Sequence, residues 1–328
     1  MKKRVLAGIR ATGRLHLGNY LGAIKGMLAL QDDSAYEALY MVADLHAITT
    51  PYHVEELRKN RREVIVDYLS AGLDPQKSIL FQQASNPHHA EFAFYLSSLV
   101  TVARMQHLPT FKEKVKQYPQ DATMALLNYP ILMASDMLLY KPSDVPVGID
   151  QEPHMEVTRE IARKMNQEYG MDFPEPKSFK TEGKYVPSLL GEGKMSKSVE
   201  GSYINLTDDL ETIKAKLAKA PTDSGTVGGN IPEKGGVGNL FTLLKLFIDK
   251  ETFVKFVIDY REKRIRYFEM KEVLSNAIYE ELKPIQEKRR EFEADPEKVD
   301  KIIREGNEKA RQIASTTVQE VRGEMGLL

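Results

Sequence analysis

The sequence has no cysteine and no tryptophan among its 328 residues. Without a thiol there is no disulfide, no thiolate zinc site, no iron–sulfur cluster and no cysteine nucleophile. That suits a reducing, cytoplasmic setting. The seven histidines are scattered. No pair has helical metal-ligand spacing with a carboxylate, so no protein-built metal site is expected. Long apolar runs are missing too. None approaches the roughly 18 residues of a membrane span. The basic start, Met1-Lys2-Lys3-Arg4, leads into an apolar stretch that Arg10 interrupts too soon for a signal peptide. Net charge is slight, with 46 Lys+Arg against 47 Asp+Glu giving -1. A polyanionic partner would have to be met by local patches. The lack of tryptophan also leaves the chain without indole fluorescence of its own.

What is there fits an ordinary globular protein. Hydrophobic residues make up 42% and charged residues 28%, and the length allows two domains. Residues 4–9 read as a strand, followed by a tight loop. Tyr20, Leu21, Ile24, Met27 and Leu28 recur at helical spacing, which predicts a helix over 16–30. Strands are predicted at 38–43, 78–82 and 143–147, and helices over 55–73, 133–140 and 150–168. Strands alternating with helices predict a parallel sheet of βαβ units, with ligands at the carboxyl ends of the strands. From residue 208 onward only helical periodicity remains, over 208–220, 240–256, 268–292 and 296–325. The glycine-rich segments 228–230 and 235–238 read as loops. The expected fold class is therefore α/β, a Rossmann-like nucleotide-binding domain over 1–200 followed by an all-helical domain over 201–328.

Two segments stand out. Thr12-Gly13-Arg14-Leu15-His16-Leu17-Gly18-Asn19 follows the first strand and opens the first helix. Free N–H groups and the positive end of the dipole at a helix start suit phosphate. His16 and Asn19 offer further donors. An ordinary strand–helix turn with a capping residue has the same spacing. Gly191-Glu192-Gly193-Lys194-Met195-Ser196-Lys197-Ser198 sets two lysines on a glycine-flanked loop. Such lysines can neutralise phosphate charge as a transition state develops, although lysine–serine loops are also common on surfaces.

Together the two segments resemble the signature of class I aminoacyl-tRNA synthetases. The first element reads His16-Leu17-Gly18-Asn19, and its asparagine is typical of the tryptophanyl branch. The second, Lys194 to Ser198, matches residue for residue. The stretch from Tyr129 to Tyr140 also resembles that branch, with Met133 where tyrosyl enzymes normally carry glutamine. Further matches are Asp44-Leu45-His46-Ala47, Gly148-Ile149-Asp150-Gln151 and the helical segment around Pro284.

The resemblance implies ATP-dependent activation of L-tryptophan and transfer to tRNA-Trp, by a homodimer, with Mg2+ carried on the ATP phosphates. Lys194, Lys197, His16 and Asn19 are implied as the catalytic set. Arg10, Ala11, Thr12, Gly18, Gly148, Ile149, Asp150, Val186, Met195, Ser196 and Ser198 are implied around ATP. Asp136 would accept the indole N–H, which only donates. Met133, His46, Tyr129, Gln151 and Leu6 would line the amino-acid pocket. Residues near 85–128 would form an insertion meeting a second subunit or the acceptor stem. The helical domain would read the anticodon, its last helix packing back on the front domain. Two departures are visible. Arg10 stands where relatives often have glutamine, and Leu6 where an aromatic is frequent. A tyrosyl enzyme, or a paralogue that senses tryptophan or tRNA without charging, remain as other readings.

Overall fold

β1 (Lys3–Arg10) and β2 (Tyr36–Ala43) carry apolar side chains on both faces, as strands covered on both sides do. A computed structural model, which describes residues 2–11, 13–179, 184–197 and 199–328, places them in a five-stranded sheet. The order is β3 (Ser78–Gln82), β2, β1, β4 (Asp144–Pro146), β5 (Lys177–Phe179), all parallel. Strand order reverses between β1 and β4. These two pair at Val5 and Asp144, near the start of each. Beyond that point the switch opens a crevice at the carboxyl ends, where such sheets bind ligands.

Alternation along the strands sorts the core. Val5, Ala7, Tyr40, Val42 and Leu80 join one apolar cluster, which runs on into the C-terminal helices. Leu6, Leu39, Met41 and Phe81 join the other, which the helices Met124–Leu138 and Glu152–Tyr169 fill.

Five helices follow residue 208: Leu210–Ala218, Gly235–Phe247, Lys250–Arg261, Tyr267–Ala294 and Pro296–Glu324. The single helix expected over 240–256 is two. Asp249 is extended, and its side chain accepts the Thr252 N–H, so it caps a new helix. The expected loop at 235–238 is helical. Gly236 and Gly238 press on the carbonyls of Pro221 and Pro232, where a Cβ would overlap. Those glycines serve close packing, not a turn. β5 was not foreseen, since three residues are too few to show a period. The helix expected over 133–140 begins at Met124 and continues through Pro130.

The Pro296–Glu324 helix crosses the outer edge of β3. Its Val299 joins one cluster, and Ala310, Ala314 and Val318 join the other. At the crossing Gly306 lies on the Leu80 backbone. Asn307 Oδ1 accepts the Gln82 N–H at 2.8 Å. An otherwise open sheet edge is thus covered. Among the described residues, no helix is long and apolar enough to cross a membrane.

Candidate active site

The chain leaves β1 and enters a helix that starts at Leu17–Asn19, widens into a π-helical turn, Tyr20–Ile24, and continues as Lys25–Asp32. His16 caps it. Its Nδ1 accepts the Asn19 N–H at 3.3 Å, and Asn19 Oδ1 accepts the His16 N–H at 3.1 Å. This reciprocal pair satisfies two donors at a helix start. Burial, then the charges of Lys197 and Lys194, lower the His16 pKa to about 4. The ring is therefore neutral near pH 7.

Lys194 sits on a short hairpin. Met195 N–H donates to Val186 O at 3.0 Å and Ser188 N–H to Gly193 O at 2.9 Å. Lys194 bridges Pro187. Met195 and Val186 are buried. A Cβ on Gly18 would stand 3.1 Å from Met195 Cβ, and one on Gly13 would stand 3.5 Å from Lys197 Nζ. The helix start and the lysine loop, far apart in sequence, therefore share one wall. Burial lowers the Lys197 pKa to about 8, with Asp67 opposing. Ser196 O accepts from Ser202 Oγ at 2.7 Å. Thr12 and Ser198 lie outside the described residues, as does the side chain of Ile149.

Asp67 was not foreseen. Its Oδ2 accepts the Leu15 N–H at 2.7 Å, just before His16. Its Oδ1 pairs with Arg289 of the Tyr267–Ala294 helix, which also holds Glu63 and, at 2.8 Å, Glu293. Burial pushes the Asp67 carboxyl up to about 6 against the pull of Arg289. The same helix grips the first loop again. Gln286 Nε2 donates to Leu206 O and Asp208 O at 3.0 and 2.8 Å, and Leu206 N–H donates to Leu15 O at 3.1 Å.

On the other face of the sheet, Asp136 is 2% exposed, so it is not a solvent-facing helix residue. It is also not a lone carboxylate. His46 Nε2 lies 2.8 Å from its Oδ2, while His89 Nδ1 and Gln83 Nε2 lie 2.6 and 2.7 Å from its Oδ1. Gln83 and His89 gave no signal in the sequence. Met133 is partly buried against the apolar cluster on this face of the sheet, and Leu6 is buried within that cluster.

Between these two regions, Gly8 is exposed although it lies in a central strand. The sheet is open there. Next along, Ala11 is buried. Arg10 Nη2 donates to His46 O at 3.0 Å and to Thr50 Oγ1 at 3.3 Å. Its Nε is buried without a partner. Burial lowers its pKa, with Tyr129 and Tyr118 opposing. Tyr129 Oη pairs with His154 Nε2, which also meets Thr110 Oγ1 at 3.1 Å. Burial pushes the Tyr129 hydroxyl up to about 12. After β4, Gly148 O accepts the Gln151 N–H at 2.9 Å, and Gln151 Nε2 donates to an exposed Asp150 at 2.7 Å. No group of three or more His, Asp or Glu among the described residues could hold a metal ion. The described residues thus include a cationic region at the helix start and lysine loop, suited to a polyphosphate, and on the other face of the sheet a buried carboxylate suited to a donor on an apolar ligand.

Known proteins resemble this chain over its whole length. A family model for the class I tRNA synthetases (W and Y) matches residues 1–283. A tryptophan–tRNA ligase of Porphyromonas gingivalis is 39% identical over 325 residues, 98% of each chain. One from Helicobacter pylori is 39% identical over 331 residues, spanning 100% of this chain and 99% of its own. The crystal structure of the Campylobacter jejuni tryptophanyl-tRNA synthetase, complexed with ADP and tryptophan, superimposes with a TM-score of 0.88 at 32% identity, covering 99% of this chain and 100% of that one. The Mycoplasma pneumoniae enzyme gives a TM-score of 0.84 at 30% identity, covering 100% of this chain and 99% of that one. With its two signature elements packed together at the switch point of the sheet, the chain belongs to the tryptophanyl and tyrosyl family of class I tRNA synthetases.

Proposed function

We infer that this chain is a tryptophan–tRNA ligase. It activates L-tryptophan with ATP and then transfers the acyl group to the terminal ribose of tRNA-Trp. The observation that supports this reading is the helix start at His16 packed against the lysine loop, with Gly18 beside Met195 and Gly13 beside Lys197. Full-length likeness to tryptophan–tRNA ligases supports it.

In this reading the tryptophan carboxylate attacks the α-phosphorus of ATP in line, and pyrophosphate leaves with its Mg2+. A carboxylate is already a nucleophile, so no side-chain base is required. Catalysis rests on positioning and charge neutralisation. Lys194 and Lys197 neutralise the leaving pyrophosphate, a role we assign also to Ser196 and Ser198. His16, Asn19 and Gly18 hold phosphate from the helix end, and Thr12 and Ala11 line the same loop. Val186 and Met195 flank the adenine, while Gly148, Ile149 and Asp150 take the ribose. Arg10, a buried cation with an unpaired Nε, meets the anionic centre of ATP. Asp136 accepts the indole N–H against Met133, Leu6 and His46. Tyr129 and Gln151 hold the polar end of the amino acid.

Residues 1–200 form the catalytic domain and 201–328 the anticodon-reading domain. The exposed Phe94, Val102 and Met124 lie within residues 85–128, the segment we assign to a second copy of the chain in a homodimer. The location is the cytoplasm.

Tryptophan-dependent ATP–pyrophosphate exchange, with tyrosine as control, tests the activity. Exchange with tryptophan alone is expected, followed by charging of tRNA-Trp. Exchange that depends on tyrosine would replace this reading with a tyrosyl enzyme. Tryptophan binding without exchange would replace it with a sensor.

A further inference from the structure

A carboxylate has about four acceptor sites, and three on Asp136 are taken. Oδ1 receives Gln83 Nε2 at 2.7 Å and His89 Nδ1 at 2.6 Å, while Oδ2 receives only His46 Nε2 at 2.8 Å. The vacant site is on Oδ2. His46, the donor on that oxygen, in turn meets Tyr129 edge-on at 6.2 Å.

The two donors on Oδ1 are fixed from behind. Gln83 Oε1 accepts the Leu45 and His46 N–H groups at 3.0 and 3.4 Å. Backbone N–H groups only donate, so the amide NH2 must face Asp136. His89 is fixed just as firmly. Asp136 Oδ1 only accepts, so His89 Nδ1 carries the hydrogen aimed at it, while Tyr140 Oη, which accepts from Asn86 Nδ2 at 3.4 Å, pairs with His89 Nε2 at 2.8 Å. Ser135 Oγ, one residue before Asp136, donates to His89 O at 2.8 Å. The His89 ring also stacks on Phe81, with centroids 6.2 Å apart. His89, Gln83 and Tyr140 are all 0% exposed.

Burial pushes Asp136 toward its neutral form, but hydrogen bonds and charge from His46 and His89 outweigh that and hold the carboxyl below its ordinary range. An anion held this way accepts and cannot donate. A ligand lacking a donor at that point leaves a desolvated oxygen without a partner, which is costly.

Resting on the tryptophan reading above, we propose that His89, which touches no substrate, is a specificity-determining positioning residue. Together with Gln83 it locks Asp136 as an anionic acceptor with one oxygen site reserved for the indole N–H.

The test compares L-tryptophan with β-(3-benzothienyl)-L-alanine, in which sulfur replaces the N–H. The readout is the ratio of their kcat/KM values in pyrophosphate exchange. His89→Leu removes the donor to Oδ1 and is expected to lower that ratio about tenfold. His89→Asn keeps an N–H at the Nδ1 position and is expected to stay within about threefold of the parent. Equal losses on both substrates, or an unchanged ratio in His89→Leu, overturn the proposal. Should His89→Leu not fold, Tyr140→Phe replaces it. Losing the hydroxyl that holds the ring at Nε2 should lower the ratio about threefold, and no change overturns the proposal. Parent protein inactive with tryptophan sinks the functional reading instead, whereas active parent with an insensitive ratio sinks only the role of His89.

Discussion

At the scale of single residues, Lys197 carries the sharpest conflict. It is partly buried against the wall it shares with Gly13, and that burial lowers its pKa to about 8. Below that pH the amine keeps its proton and can neutralise phosphate. Above it the charge is lost. kcat/KM for ATP, which reports the free enzyme, is expected to fall as pH rises past about 8. Lys197→Arg, which stays charged, should flatten that limb of the exchange profile at some loss of rate. A profile that falls equally in both proteins would assign the limb to another group. Lys197, Lys194 and His16 were legible in the sequence because the motif is local: a few contiguous residues of distinctive chemistry. Asp67, Gln83 and His89 were not. Each reads as an ordinary polar residue in its own segment. Only the fold brings Asp67 to Leu15 and Arg289, or His89 to Asp136.

At the scale of elements, the strands β1 to β3 were readable because their apolar runs are long enough to declare themselves, whereas β5 is three residues long. The C-terminal helices were recognised, but their ends were misjudged. Gly236 and Gly238 looked like turn residues because a sequence does not reveal which carbonyls a helix will press against. Gly306 makes the same point within a 29-residue helix. In an exposed helix, alanine at such a site gains about 1 kcal/mol. Here its Cβ would collide with the Leu80 carbonyl oxygen, and the helix must lift from β3. Gly306→Ala is therefore expected to lose about 1–2 kcal/mol in urea unfolding. A gain would mean that the helix shifts freely along the edge.

At the scale of the whole molecule, the C-terminal helices and the loop before His16 are joined through buried charge. Arg289 is 5% exposed and faces Asp67, Glu63 and Glu293. Removing one partner of a buried pair typically costs about 3 kcal/mol or more. Arg289→Met should lose about that much stability and raise KM for ATP, because Asp67 also anchors Leu15 beside the helix cap. Adding Asp67→Asn should recover part of the stability. Additive losses would show that the two sites are independent. The crossing of β3 by the Pro296–Glu324 helix has its own consequence, in time. During synthesis the sheet strands leave the ribosome more than a hundred residues ahead of that helix. Until it arrives, Leu80 and Gln82 offer a bare ribbon of peptide groups to any neighbouring nascent chain. Translation of this protein thus passes through an interval when its sheet is complete in sequence yet still adhesive, and a chaperone would find its substrate there.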